Sequence, residues 1–314
     1  MVQLDIPPND YINPGHLGCP GCGATLAMKF ALKALGEKTV VVIPASCWGV
    51  IAGPYPQSAL QVPVLQMAFA TAGAAASGVR AALDMKGDTA TTVLSWAGDG
   101  GTFDIGFQSL SGAVERNEDC IFVCYDNEAY MNTGVQRSSS TPYGTRTTTT
   151  PGQGWKKTRK KNMVEALAAH RIPYAATASI AFPEDLICKF QKAKDLRGGS
   201  RFIHILAPCP TGWGIASDMS VKIARLAVQT NVFPLYEVQD GLKYTLNYQG
   251  GRPVQDYLQV QGRFKHLTGA DCDQIQQKVD EDWELLRGKA GIYVDPAAAR
   301  AREQRQCKSK ARKS

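Results

Sequence analysis

The residues in this sequence best suited to chemistry lie in two short acidic segments. Gly98-Asp99-Gly100-Gly101 follows an apolar run at residues 91–96, and Asp126-Asn127 follows a second at residues 120–125. Asp99 offers a carboxylate and Asn127 an amide oxygen. Both are hard donors of the kind Mg²⁺ takes into an octahedral shell that also admits phosphate oxygens. The backbone carbonyl of Ala129 is a third candidate oxygen. Glycines on both sides of Asp99 let the main chain approach a bulky anion closely. Such a set suits a divalent cation that holds a diphosphate.

For these donors to meet, the two apolar runs must be neighbouring parallel strands. Residues 103–115 between them have helical spacing, so the segment reads as a βαβ unit. A right-handed βαβ unit delivers both segments to the carboxyl edge of the sheet, where open α/β folds bind ligands. Gly-Asp-Gly alone is also a common turn. Its pairing with Asp-Asn after 25 residues resembles the thiamine-diphosphate motif and is far more specific.

A second constellation is made of cysteines. Cys19 and Cys22 form a C-x₂-C pair at the mouth of a helix predicted over residues 24–35. Cys47 follows after 24 intervening residues, just beyond a β-branched strand at residues 39–43. Cys209 lies in Pro208-Cys209-Pro210, after an apolar strand at residues 202–206. All four have a route to one sheet edge. Four thiolates suit structural Zn²⁺ or a [4Fe–4S] cluster, and spacing does not separate the two. The other five read as structural. Cys120 and Cys124 sit in a buried strand, Cys188 in a helix, and Cys272 and Cys307 in the weakly patterned C-terminal part. His204, in an apolar strand, reads as a core residue. His16 is near enough to Cys19 to contact the cluster surroundings or a cofactor.

Around these motifs the pattern is a regular α/β alternation. An Ala/Gly-rich helix at residues 70–85 implies a close contact with the sheet or with another subunit. Residues 128–161 form a long irregular stretch, a length that usually signals function, and it closes on the basic cluster 156–161. Helices at 162–170, 183–194 and 217–229 and a strand at 174–178 follow. Short strands and a polar helix near 271–287 make a C-terminal extension. The expected division is 1–235 for cofactor and cluster binding and 236–314 for the extension with its basic tail.

Taken together, Cys19-Pro-Gly-Cys22-Gly, Cys47, Gly98-Asp99-Gly100-Gly-Thr-Phe-Asp-Ile-Gly106, the run from Tyr125 to Gly134 and Leu206-Ala-Pro-Cys209-Pro resemble the β subunit of 2-oxoacid:ferredoxin oxidoreductases. The resemblance is closest to the pyruvate type and spans roughly residues 10–235. It implies a Rossmann-like thiamine-diphosphate-binding fold, with a mainly parallel sheet flanked by helices. It also implies that Cys19, Cys22, Cys47 and Cys209 bind one [4Fe–4S] cluster. Mg²⁺ would be held by Asp99, Asn127 and Ala129, and thiamine diphosphate by Gly98, Asp99, Gly100, Gly101, Asn127, Ala129, Tyr130 and Thr133. Asn132 would face the substrate, with Thr133, Gly134 and Gln136 shaping the site.

The implied reaction is oxidative decarboxylation of a small 2-oxo acid, pyruvate or oxalate, with electrons passing singly to ferredoxin. Two features depart from the family pattern. Residues 156–161 are basic where a Pro-rich connector is expected, and Gly134-Val135-Gln136 lacks a second glycine. The cofactor-activating glutamate belongs to a second domain in this family, and no ferredoxin-like C-x₂-C-x₂-C-x₃-C run occurs here. The chain is therefore expected to work with α-, γ- and δ-type subunits. A carboligase subunit with structural zinc and a non-catalytic electron-transfer subunit are the competing readings. Arg137 is a candidate partner for a second substrate carboxylate, or an ordinary loop arginine.

Bulk properties agree with an enzyme subunit. Hydrophobic residues make up 44% and charged residues 20%, ordinary for a globular protein. There is no apolar run of membrane-spanning length and no signal-peptide pattern, so a cytoplasmic protein is expected. The net charge of +7 is concentrated in residues 297–314, which carry seven cations and one carboxylate. The nearly neutral remainder argues against nucleic-acid binding.

Overall fold

The apolar runs build one eight-stranded sheet in a computed structural model that describes residues 6–152 and 154–292. The basic tail and Cys307 lie outside the described residues. In chain order the strands are β1 (Thr39–Pro44), β2 (Val64–Met67), β3 (Thr92–Gly98), β4 (Ile121–Asp126), β5 (Tyr174–Ser179), β6 (Arg201–Leu206), β7 (Tyr236–Gln239) and β8 (Lys243–Leu246). They lie side by side in the order β2-β1-β3-β4-β6-β5-β7-β8. The first six are parallel, and β7 and β8 are added antiparallel. Strands β3, β4, β5 and β6 are buried at every residue, as continuous apolar strands covered on both faces must be.

Helices cover both faces. α1 (Gly23–Leu35) precedes β1, α2 (Cys47–Ile51) follows it, and α3 (Ala72–Met85) and α4 (Phe107–Glu115) flank β3. α5 (Met163–Ala168), α6 (Pro183–Asp195), α7 (Pro210–Trp213), α8 (Ser220–Gln229), α9 (Gln255–Leu258) and α10 (Gly269–Ile292) complete the order. One core packs Met28 and Leu32 of α1 and Leu186 and Phe190 of α6 against the sheet, with Trp48 and Trp96. The opposite core contains Ala76, Leu110, Met163 and Leu167, closed by Trp283 and Leu286 of α10. Among the described residues, no helix is long and apolar enough to cross a membrane.

Several boundaries differ from the sequence expectation, each for a physical reason. The helix expected from residue 103 starts at Phe107, because Gly100–Asp104 forms a single π turn straight after β3. A Cβ on Gly106 would stand 1.9 Å from the Gly101 carbonyl oxygen, so this tight re-entry requires glycine. The Ala/Gly-rich α3 packs on β1 and β3 of the sheet, as expected, and also closely on a neighbouring helix of the same chain. A Cβ on Gly73 would meet the Ser109 carbonyl oxygen of α4 at 2.4 Å. The helix expected over 217–229 is a 3₁₀ turn, Ser217–Met219, followed by α8. After residue 235, β7 and β8 continue the main sheet, and Cys272 lies in the first turn of α10 rather than in weak structure. The short edge strand β2 has no sequence pattern that would reveal it.

Candidate functional site

The carboxyl ends of β1, β3 and β4 open into a cavity of about 480 Å³. Its wall brings together Cys47, Gly98, Asp99, Gly100, Gly101, Asn127, Ala129, Tyr130, Asn132 and Thr133, so the two acidic segments do meet. The remaining wall is mainly apolar, with Ile43, Val50, Met67, Phe69 and Met131, and among the described residues no Lys or Arg lines it. Gln66, Met67 and Phe69 come from β2 and the residues after it, which carry no motif. Only the pairing of β2 with β1 could have located them.

At the heart of this cavity the Asn127 side chain faces two further oxygens. The Asn127 side-chain oxygen lies 3.0 Å from Asp99 Oδ1 and 2.8 Å from the Ala129 carbonyl oxygen. Three acceptors this close repel unless a cation sits between them or the amide turns over to donate. An octahedral Mg²⁺ with ligands at 2.0–2.1 Å separates adjacent ligand oxygens by about 2.9 Å. The observed separations match that edge length. The orientation also leaves the Asn127 amide nitrogen toward Cys47 Sγ, at 4.0 Å. Glu128, at φ 70°, makes the bend that turns the Ala129 carbonyl inward. Asp99 is buried, and burial together with the Asp126 charge pushes its carboxyl well above the usual range. Its second oxygen, Oδ2, accepts from Ser138 Oγ at 2.5 Å.

Gly100 is required by packing, since a Cβ there would lie 2.3 Å from the Tyr130 ring. The Tyr130 hydroxyl donates to Asp104 Oδ2 at 2.8 Å, which seats the ring over the π turn. From Tyr130 the chain makes a tight loop, with Tyr130 N donating to Gln136 O at 2.9 Å. Asn132 and Thr133 are exposed on it at the cavity rim. Val135 has φ 63°, a conformation that strains a β-branched residue. This is the position where the family pattern leads one to expect a second glycine.

The four motif cysteines approach the same edge. Cys22 precedes α1, Cys47 begins α2, and Cys209 is the N-cap of α7, its Sγ accepting from Gly212 N at 3.4 Å. Gly23 N donates to Pro208 O at 3.0 Å, tying the Cys22 segment to the Cys209 segment. Gly21, at φ 73°, lies so close to Ser217 that a Cβ would meet its carbonyl at 2.0 Å. Burial pushes the Cys47 thiol up to about 12, and Cys209, Cys22, Asp99 and Cys19 add to that rise. Cys209 is raised by burial and by Cys22 and Cys19. The four sulfurs therefore sense one another. Among the described residues, no three Cys, His, Asp or Glu are grouped as for a single metal ion. Cys120 and Cys124 are buried, and Cys188 is exposed on α6.

Behind the oxygen face lies a buried ionic brace. Lys160 Nζ stands 2.5 Å from Asp126 Oδ2 and 2.8 Å from Glu128 Oε1. Arg263 pairs with Glu128 Oε2 at 2.6 Å without hydrogen-bond alignment. His204 Nε2 is 2.7 Å from Asp126 Oδ2. Burial alone would raise the Asp126 carboxyl, but Lys160 and His204 hold it well below the usual range. Burial lowers His204, outweighing the pull of Asp126. His204 is thus a satisfied core residue, and part of the basic cluster at 156–161 is internal. His16 accepts from Gly18 N at 3.2 Å and does not line the cavity. Arg137 is exposed, bonds Thr158 at 3.3 Å and does not line it either.

Comparison with known proteins agrees with this geometry. Residues 47–205 match the thiamine pyrophosphate enzyme C-terminal TPP-binding domain. The chain is 50% identical over 303 residues to ketoisovalerate oxidoreductase subunit VorB of Pyrococcus horikoshii, covering 93% of this chain and 97% of that protein. It is 49% identical over 288 residues to pyruvate synthase subunit PorB of Methanothermobacter marburgensis, covering 90% of this chain and 100% of that protein. A solved 2-oxoglutarate:ferredoxin oxidoreductase from Magnetococcus marinus superposes with a TM-score of 0.56 at 21% identity, covering 71% of this chain and 82% of that one. At that identity the likeness is one of fold.

Proposed function

Since the chain belongs to the thiamine-diphosphate-dependent β subunits of 2-oxoacid:ferredoxin oxidoreductases, we propose that it holds the cation, cofactor and first electron acceptor of such an enzyme and acts on a 2-oxo acid with an uncharged side chain. The observation that carries this reading is the Asn127 side-chain oxygen set against both Asp99 Oδ1 and the Ala129 carbonyl oxygen. These would hold Mg²⁺, while the glycine-flanked chain at residues 98–101 lets a diphosphate approach. Cys19, Cys22, Cys47 and Cys209 would hold a [4Fe–4S] cluster. The relatives named as 2-oxo acid oxidoreductases imply removal of electrons, for which a redox-inert zinc has no use and a cluster does.

When bound, thiamine diphosphate supplies the carbanion chemistry by which a 2-oxo acid loses CO₂, and the cluster supplies a one-electron acceptor. The residues of this chain do the rest by placement. Ile43, Val50, Met67 and Phe69 exclude water from the reacting end. Asn132 and Thr133, at the rim, are positioned to orient the substrate carboxylate and carbonyl. Among the described residues no cation lines the cavity to neutralise a second carboxylate, which favours pyruvate or ketoisovalerate over oxalate. The two relatives named for these substrates are equally similar to the chain, so identity does not choose between them. The cofactor-activating carboxylate would come from a partner, and α-, γ- and δ-type subunits would complete the enzyme.

Two measurements test this. Metal analysis with a visible spectrum of the assembled enzyme should show iron and a broad band near about 400 nm. Zinc without colour would sink the cluster assignment. Steady-state rates with pyruvate, ketoisovalerate and oxalate, with and without coenzyme A, should show turnover of a monocarboxylate only when coenzyme A is present. Turnover of oxalate alone would reverse the substrate reading.

A further inference from the structure

Four consecutive hydroxyl residues, Ser138-Ser139-Ser140-Thr141, run beneath the cavity, and each grips a different oxygen. Ser138 Oγ donates to Asp99 Oδ2 at 2.5 Å, and Ser140 Oγ donates to Asp126 Oδ2 at 2.5 Å. Ser139 donates to Asp104 through both its hydroxyl and its backbone N–H, and Thr141 Oγ1 donates to the Glu128 carbonyl at 2.7 Å. Ser138, Ser140 and Thr141 are buried. The strap is fastened from below by Lys156, itself buried. Its Nζ donates to the carbonyls of Ser139, Thr141 and Arg159, and among the described residues no carboxylate pairs with it.

The consequence falls on Asp99. Ser138 occupies Oδ2, so only Oδ1 is presented to Asn127 and Ala129. A carboxylate offering one oxygen suits the compact octahedron of Mg²⁺, whereas Ca²⁺ takes more oxygens and often both from one carboxylate. We propose that Ser138, held by this strap, is a positioning residue that keeps Asp99 one-armed and thereby sets the cation selectivity of the site for Mg²⁺ over larger divalent ions. The proposal rests on the reading that the three oxygens hold a cation.

The test uses the assembled enzyme stripped of cofactor. Dissociation constants for Mg²⁺ and for Ca²⁺ are measured calorimetrically in the presence of thiamine diphosphate, for the wild type, Ser138→Ala, Ser138→Thr, Ser140→Ala and Asp99→Asn. Ser138→Ala should weaken Mg²⁺ about 10–100-fold, the usual cost of losing a group that orients a metal ligand. It should weaken Ca²⁺ much less, so the Mg²⁺:Ca²⁺ preference falls. Ser138→Thr, which keeps the hydroxyl, should restore the preference, and Ser140→Ala should leave it at the wild-type value. An unchanged preference in Ser138→Ala, with the wild type still binding Mg²⁺, overturns the positioning role of Ser138 and spares the site. Equal Mg²⁺ binding by the wild type and Asp99→Asn overturns the cation site itself. If Ser138→Ala does not assemble, Ser138→Cys, similar in size and a weak donor, is read by the same criterion.

Discussion

The oxygen face and the four-thiol edge lie side by side, yet they are built in opposite ways. The Asn127 side-chain oxygen already stands 3.0 Å from Asp99 Oδ1 and 2.8 Å from the Ala129 carbonyl oxygen. These oxygens are held by strand ends, a strap of hydroxyls and a buried ionic brace. The thiols come from three separate segments, and Cys19 is exposed. The oxygen face has the spacing a small ion requires. The thiol segments are tied together by backbone contacts such as Gly23 to Pro208. Compact hard-donor sites need their geometry in advance, because Mg²⁺ tolerates little distortion. A polyatomic cluster brings its own geometry and needs only an opening of the right size.

The sharpest way to break this comparison is to disable each site separately. Asp99→Ala should abolish Mg²⁺-dependent thiamine diphosphate binding, beyond the roughly 100-fold upper range for supporting residues, while leaving the visible spectrum intact. Cys47→Ser should bleach the spectrum and stop ferredoxin reduction, with thiamine diphosphate affinity kept. If either variant lost both signals, the two sites would be one unit.

Next in size is the brace that preorganises the oxygen face. Lys160→Met leaves the buried carboxylates of Asp126 and Glu128 short of a cation and should destabilise the assembled protein by about 3–5 kcal/mol in denaturant unfolding. A smaller effect is expected from pH on the thiol side. The Cys47 thiol is pushed up to about 12, so it is protonated when unloaded at neutral pH and must release that proton to bind iron. Cluster reconstitution should therefore become more favourable as pH rises, by up to about tenfold per pH unit for each thiol proton released. Proton release measured during reconstitution checks this. Smallest of all is Arg159→Ala. Its pairs with Glu281 and Asp282 are largely solvent-exposed, so its removal should cost less than about 1 kcal/mol. A larger loss would show that the brace extends to α10.

Much of the oxygen face was legible in the residue order. Asp99 and Asn127 each follow an apolar run of strand length, with a helical spacer between, and local geometry then dictates that both reach one edge. The supporting residues were not legible. Ser138 bonds a carboxylate 39 positions away, and a serine run reads as loop whatever it touches. Lys160 and Arg159 are sequence neighbours of the same charge class, yet one is a buried brace and the other a surface pair. Val135 and Glu128 take positive φ values that their side chains disfavour, so no propensity announces them. The strands after residue 235 are short and polar enough to look like an appendage, and only their pairing with β5 makes them part of the sheet.

The residue order by itself therefore determined the donor types, the strand ends that carry them and the family to which the chain belongs. Those properties are local, set by side-chain chemistry and by hydrophobic period. The tertiary structure alone decided which donors face each other, which charges lose their water and how many carboxylate oxygens of Asp99 remain free. Those depend on the strand order β1-β3-β4-β6 and on loops returning from far along the chain. Hydrogen bonds and ion pairs act over a few ångströms of space, and separation along the chain does not fix that distance.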